Sequence, residues 1–261
     1  MRFTQAAVVL VTGLAVVGLT ACSGEAAPKP TATPTPVAAS GDGILRIGDL
    51  TPTTGDLAAY GNSQAAGVEL AVREINEAGG YNKVPVEVLH RNAGDGDAAV
   101  TEASFNDLLS RGVDVIIAPD SATVTKTLQD LVTKNESNVA IISLATGTNA
   151  SKEGTVKVVT PDDAFAARLK SSDPSLADLG YGAEAYDATV ASALAATVAK
   201  DDGGASVVQG LVAVSSHSGI TCTSYGMCLD VLTKKPSIDY VGISGQMNYD
   251  AKTGVTSFVK K

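Results

Sequence analysis

The chain has 261 residues, a net charge of −9, 44% hydrophobic residues and only 4% aromatic ones. At ~150 residues per domain this makes one or two domains, and the apolar fraction excludes wholesale disorder. The acidic balance argues against nucleic acid as a partner, because phosphate calls for a basic face. With no Trp and four Phe, the core has to come from Ala, Val, Leu and Ile, and three Cys with two His leave little for a metal site.

Arg2 supplies a weak positive start, and Ala6 to Leu19 form an apolar run. The run is too short and too Gly-interrupted to prefer spanning a bilayer. It ends in Leu19-Thr20-Ala21-Cys22, followed by Ser23 and Gly24. This looks like a bacterial lipobox. Residues 1–21 are then a lipoprotein signal peptide, and Cys22 is acylated and holds an exported chain at the outer face of the cell membrane or in the periplasm. An ordinary secretory signal with an incidental Cys is the alternative. Residues 22–43 carry Pro28, Pro30, Pro34 and Pro36 among Ala, Thr and Ser. Such a stretch buries no core and reads as an extended tether.

Strand and helix then alternate. Ile44 to Leu50 reads as a strand, Thr51 to Gly61 as a loop, and Ala66 to Ala78 as a helix with Val68, Ala71, Val72 and Ile75 on one face. Gly79-Gly80 stops it. Val84 to His90 is a second strand. A helix follows with Thr101, Phe105, Leu108 and Leu109 on one side, closing near Gly112. Val113 to Ala118 is an unbroken apolar run, as a strand covered on both faces requires. Val124, Leu128, Leu131 and Val132 mark another helix, and Val139 to Ser143 a fourth strand. These repeats predict an α/β fold with a doubly wound parallel sheet, whose ligands sit at the carboxyl ends of the strands.

The remainder is thinner in strands. Val156 to Val159 is a candidate. Thr160-Pro161 suits a helix start, with Thr160 as cap and Pro161 in the first turn. Tyr186, Val190, Leu194 and Val198 stripe a long helix, and Val208, Leu211 and Val212 a short one. Val241 to Ser244 and Gln246 to Tyr249 complete a count of at most three strands. Cys222 and Cys228 stand six apart, before a helix through Leu229 and Leu232. In an oxidising compartment they are expected to close one small disulfide loop. A redox or metal pair is the alternative, but no His or further Cys accompanies them.

No catalytic constellation stands out. Gly94, Gly96 and Ala99 match G-x-G-x-x-A between a strand and a helix, as a dinucleotide site does. They follow the second strand, however, and Asp95 and Asp97 would repel a pyrophosphate, so Asp97 reads better as a helix cap and no cofactor is expected. Gly242-Ile243-Ser244-Gly245 is one residue short of a nucleophile elbow. His90 and His217 have no evident nucleophile beside them, and a lone His is more often structural. No catalytic residue is named, and the chain is read as a non-enzyme.

Several stretches carry a family likeness. They are Gly48 to Gly55 with Ala59-Tyr60-Gly61, Gly67 to Asn76 with Gly79-Gly80, Ile116 to Ser121, and Ile142 to Thr146. Together they resemble the first lobe of the type I periplasmic-binding-protein-like fold, in particular the substrate-binding lipoproteins of ABC importers for the branched-chain amino acids leucine, isoleucine and valine. The resemblance implies two lobes closing on a small-molecule ligand, an amino acid or similar solute, for delivery to a membrane permease. Ser121 and the Thr123 backbone N–H would meet the ligand's carboxylate at a helix N-terminus. The Ala145 carbonyl and a hydroxyl of Thr146 or Thr148 would hold its ammonium, and Tyr60 would line the side-chain pocket. Ala122 and Leu144 depart from the family pattern, where a second Ser and a Pro are usual.

Phe165 to Lys170, Tyr181 to Asp187 and Asp239 to Gly245 resemble segments late in the family's second lobe. The resemblance thus divides the chain into a first α/β lobe at 44–154 and a shortened second lobe at 155–261. A half cleft buries less of a ligand than the roughly 70–90% typical of closed sites. A sensory or interaction domain that kept the fold without transport, or a non-functional truncated remnant, is the alternative reading.

Overall fold

A computed structural model describes residues 37–94, 96–144 and 159–259. Its first four strands are β1 (Arg46–Thr51), β2 (Glu87–Asn92), β3 (Val115–Ala118) and β4 (Ala140–Leu144). Three helices connect them: α1 (Gly61–Glu77), α2 (Ala98–Ser110) and α3 (Ala122–Lys134). All four strands are parallel, in the order β2-β1-β3-β4. Because side chains alternate across a strand, each strand feeds two cores. Leu45, Ile47, Val115, Ile117, Ala140 and Ile142 join the cluster under α1, whereas Leu50, Ile116, Ala118 and Ile141 join the cluster under α2 and α3. The doubly wound sheet read from the β-α repeats is therefore present.

Residues 159–259 contribute α4 (Asp163–Ser172), α5 (Gly182–Ala199), α6 (Gly204–Val214) and α7 (Tyr225–Leu232). They also contribute four strands: β5 (Ile220–Cys222), β6 (Ile238–Gly242), β7 (Gly245–Tyr249) and β8 (Val255–Val259). These strands extend the first sheet and build no sheet of their own. β8 lies parallel to β4, β7 and β6 follow antiparallel, and β5 closes the far edge parallel to β6, giving one eight-stranded sheet. The incompleteness of the second lobe is thus far-reaching: among the described residues there is a single sheet, and those from Val37 onward make a single compact unit. The boundary expected at 154/155 falls outside the described residues.

The described residues hold four strands here against at most three expected: β5 has only three residues, β8 is a mixed polar and apolar run paired with both β7 and β4, and the candidate at Val156 to Val159 lies outside the described residues but for Val159. The α4 cap is Asp162, whose carboxylate accepts the Phe165 N–H at 2.8 Å, and not Thr160. Helix α1 begins at Gly61, five residues before the expected start at Ala66. Its first turns are polar in sequence yet buried at Ser63 and Gln64, since both side chains find partners. Asp97 caps α2 as expected, accepting the Ala99 N–H at 3.0 Å.

Helix α5 is the pivot. Every residue from Gly182 to Ala196 is buried, and the helix is wedged between α1 and α6 on the sheet. Two glycines permit that closeness. A Cβ on Gly67 would stand 2.1 Å from the Gly182 carbonyl oxygen, and one on Gly210 2.2 Å from that of Ala195. Tyr186 of α5 donates to Glu74 at 2.6 Å, and Arg168 of α4 reaches the same carboxylate at 2.6 Å, tying α1, α4 and α5 together. At the other end, buried Asp187 accepts the Ile243 and Ser244 N–H groups and the Tyr240 hydroxyl, which fixes the β6–β7 turn. Cys222 and Cys228 form the expected disulfide between β5 and α7. Among the described residues no helix is long and apolar enough to cross a membrane.

Candidate functional site

The carboxyl ends of β1, β3 and β4 converge as a parallel sheet requires. β3 ends at Ala118, and Pro119-Asp120-Ser121 leads directly into α3. Ser121 is extended, and its Oγ accepts the Val124 N–H at 3.3 Å, so the hydroxyl is engaged as a helix cap. The helix is anchored behind it: Thr125 and Ser143 share a hydrogen bond of 2.6 Å between hydroxyls. Ser121 is half-buried and Thr123 exposed, so the α3 N-terminus stands open.

Tyr60 stands in the turn before α1. It is half-buried, with its ring edge-on to Tyr181 at 5.4 Å between centroids and 78° between planes. Tyr181 is a residue the sequence reading placed elsewhere, in a late second-lobe segment. It precedes α5 with φ of +61°, a left-handed conformation costing a non-Gly residue on the order of 1–3 kcal/mol. Its hydroxyl donates to Asp120 at 3.1 Å. The structure therefore brings together Tyr60, Ser121, Tyr181 and Asp120. Ala145, Thr146, Thr148 and the lipidation residue Cys22 lie outside the described residues.

Glu184, on the first turn of α5, also went unnoticed in sequence. It is fully buried. One oxygen accepts the Val159 N–H at 2.9 Å, and Oε2 has no hydrogen-bond partner among the described residues. Burial pushes its carboxyl up to about 7, and the charges of Asp187 and Asp120 add to the shift. The available signal was one acid near the start of an Ala-rich helix.

Beside this mouth lies a second polar group. His90, within β2 and opposite Asp49 of β1, contacts buried Asp49 through Nδ1 at 2.9 Å and Glu69 through Nε2 at 2.8 Å. Gln64 donates to Asp49 at 2.6 Å. The Asp49 hydrogen bond leads the causes that raise the His90 pKa to about 9, so the ring is an imidazolium that braces β1 against β2 and α1. Asn62, Ala65, Glu69, His90 and Asp173 line a cavity of about 270 Å³ beside it. A separate cavity of about 510 Å³ lies at the opposite, amino ends of β4 and β8, among Val139, Ile141, Val208 and Tyr249. His217 contacts Asn248 at 2.9 Å on the surface.

Comparison with known proteins finds a likeness in the first half. Residues 44–168 match the family model described as periplasmic binding protein. The chain is similar to that family over this segment. It is 31% identical over 117 residues to the Leu/Ile/Val-binding protein BraC3 of Rhizobium johnstonii, which is 44% of this chain and 31% of that protein. It is also 31% identical over 111 residues to the leucine-, isoleucine-, valine-, threonine- and alanine-binding protein of Pseudomonas aeruginosa, which is 42% of this chain and 29% of that one. The match thus spans about a third of the length of these relatives. Among solved structures, the branched-chain amino acid transporter substrate binding protein LivJ of Streptococcus pneumoniae, in complex with isoleucine, shares 28% identity. That match covers 41% of this chain and 30% of the other, with a TM-score of 0.36.

Proposed function

We propose that this chain is a solute-binding lipoprotein of an ABC importer, shortened to a single sheet, that presents an amino acid or similar small solute to a membrane permease. The observation that supports the reading most is the periplasmic-binding-protein match over residues 44–168, which includes the loops meeting at the carboxyl ends of β1 and β3. In this reading Tyr60, Ser121 and Thr123 contact the solute from one side, and Ala145, Thr146 and Thr148 complete the contact. Cys22 carries the lipid, residues 22–43 are the tether, and the protein works outside the cytoplasmic membrane. The site binds without turnover. With one sheet on one side of the solute, affinity comes from that side alone and falls below that of a closed two-lobed site.

A thermal-shift screen of the purified chain against the common amino acids tests this. A ligand at 100 times its dissociation constant adds ~2.7 kcal/mol, which moves the midpoint by roughly 5–10 °C in a domain of this size. A selective shift with leucine, isoleucine or valine is expected. A sharp melt that no small solute moves contradicts the reading and favours an interaction domain.

A further inference from the structure

We propose that the notch between α3 and α6, at the amino ends of β4 and β8, is a second binding site, and that it takes a small aliphatic carboxylate, with the apolar body on the notch walls and the head on Lys252. This site lies at the other end of the sheet from the mouth and does not depend on the solute-binding reading.

The sheet itself opens the notch. β8 pairs with β4 only at Ser143–Val255 and Leu144–Thr256, so among the described residues the amino-terminal half of β4 has no strand beside it on that side. The turn from Asp250 to Gly254 stands there instead. Gly254, at φ of +69°, lets the turn come close: a Cβ on it would stand 2.7 Å from the Ile141 carbonyl oxygen. The Tyr249 hydroxyl donates to that same carbonyl at 3.1 Å, so this part of the strand edge is already satisfied. What remains is the cavity of about 510 Å³, within the roughly 300–1,000 Å³ of small-molecule sites. Val132 of α3, Val139 and Ile141 at β4, Val208 of α6 and Tyr249 form its apolar walls. The two cores meet there: Val132, Val139 and Ile141 pack with the cluster under α2 and α3, and Val208 and Tyr249 with the one under α1. Val132 and Val208 are only half-buried, so an apolar guest removes their surface from water.

The polar groups select the head. Gln129 donates to the Thr253 carbonyl at 2.5 Å, and the Thr133 hydroxyl to the Gln129 carbonyl at 2.9 Å, so both are engaged. Lys252 and Asn138 also line the cavity, and neither side chain has a hydrogen bond or salt bridge among the described residues. Both offer N–H donors, and Lys252 is the one charged residue on the described lining. Asp250 does not line it; its Oδ1 accepts the Lys252 backbone N–H at 2.9 Å within the turn. Donors and a cation beside apolar walls suit a carboxylate on an apolar body and turn away an amine.

Calorimetric titration of the full chain near neutral pH with octanoate, 1-octanol, octylamine and acetate tests this. Octanoate should bind with a dissociation constant below about 1 mM, 1-octanol about three- to fivefold more weakly, and octylamine and acetate not at all. Added salt should weaken octanoate and leave 1-octanol unchanged, because an exposed ion pair is screened. Lys252→Gln should bring octanoate to the level of 1-octanol, and Val208→Asp should abolish octanoate binding; circular dichroism and a thermal melt verify that both variants fold. Equal binding of octanoate and 1-octanol, or undiminished octanoate binding in Lys252→Gln, overturns the proposal. Displacement of octanoate by leucine would place it at the mouth and overturns it too. Absence of binding by all four probes overturns the site, and a dimer in sedimentation that Val208→Asp returns to monomer would assign the notch to a second copy of the chain instead.

Discussion

Helices α3 and α5 flank the same sheet but solve different problems. α3 has one dry face, formed by Val124, Thr125, Leu128 and Leu131, and a wet face of Lys, Asp and Thr. α5 has almost no wet face: fifteen consecutive residues are buried, and it supports α1, α6 and the sheet at once. A helix with a wet face announces its orientation in sequence through its period. A helix buried all round shows only that it is apolar, and its neighbours have to be found in three dimensions. The N-terminal half is made of helices like α3, whereas the C-terminal half depends on α5.

Four substitutions probe this contrast, in decreasing order of effect. Leu194→Ala in α5 and Leu128→Ala in α3 each empty a fully buried site and should each cost about 2–5 kcal/mol. Urea unfolding should show the same midpoint order by circular dichroism and by calorimetry. A loss below 1 kcal/mol for Leu194→Ala would mean α5 is not the shared support described above. Gly210→Ala drives a Cβ into the Ala195 carbonyl and should cost about 1–3 kcal/mol although Ala is the better helix former. Ser121→Ala removes the α3 cap and should cost about 1 kcal/mol, again read from the urea midpoint.

The smallest effect is a pH slope. His90 has a folded pKa of about 9 against an ordinary 6.5. The folded state therefore holds the proton more tightly, and the stabilisation is complete below about 6.5 and disappears as pH rises through about 9. Glu184 acts from the other side: its carboxyl, raised to about 7, costs stability as pH climbs from its ordinary value through 7. Between pH 7.5 and 9 the His90 slope should lead, and His90→Gln should flatten the fall in melting temperature over that range; nearer pH 10 the buried tyrosines, whose pKa values burial raises above the ordinary 10, add a fall of their own.

The sequence made the parallel half legible because its information is local. The apolar runs at Val113 to Ala118 and Val139 to Ser143 need no distant partner to be recognised as strands. β8 was missed because Val255-Thr256-Ser257-Phe258-Val259 mixes polar and apolar residues without a clear apolar face, and it is a strand through its hairpin with β7 and its pairing with Ser143 and Leu144 of β4. The first turns of α1 were missed for a related reason: Gln64 is buried because Asp49 receives it, and polarity alone suggests a loop. Of the residues that meet at the mouth, Tyr60 and Ser121 were singled out from the sequence; Tyr181, Asp120 and Glu184 were not, because Tyr181 and Glu184 come to the mouth with the start of α5. The packing of α5 on α1, through Gly67 and Gly182, brings that end of α5 to the mouth.

Hydrogen exchange resolved by mass spectrometry tests the single-sheet account most directly. β1 and β3 belong to the first half, and α5 and β8 to the second. One cooperative sheet predicts that the slowest amides of all four open together, with the same free energy as global unfolding. If α5 and β8 exchanged in a separate, much less stable step while β1 and β3 stayed protected, the C-terminal half would be an appendage, contradicting its role in completing the sheet.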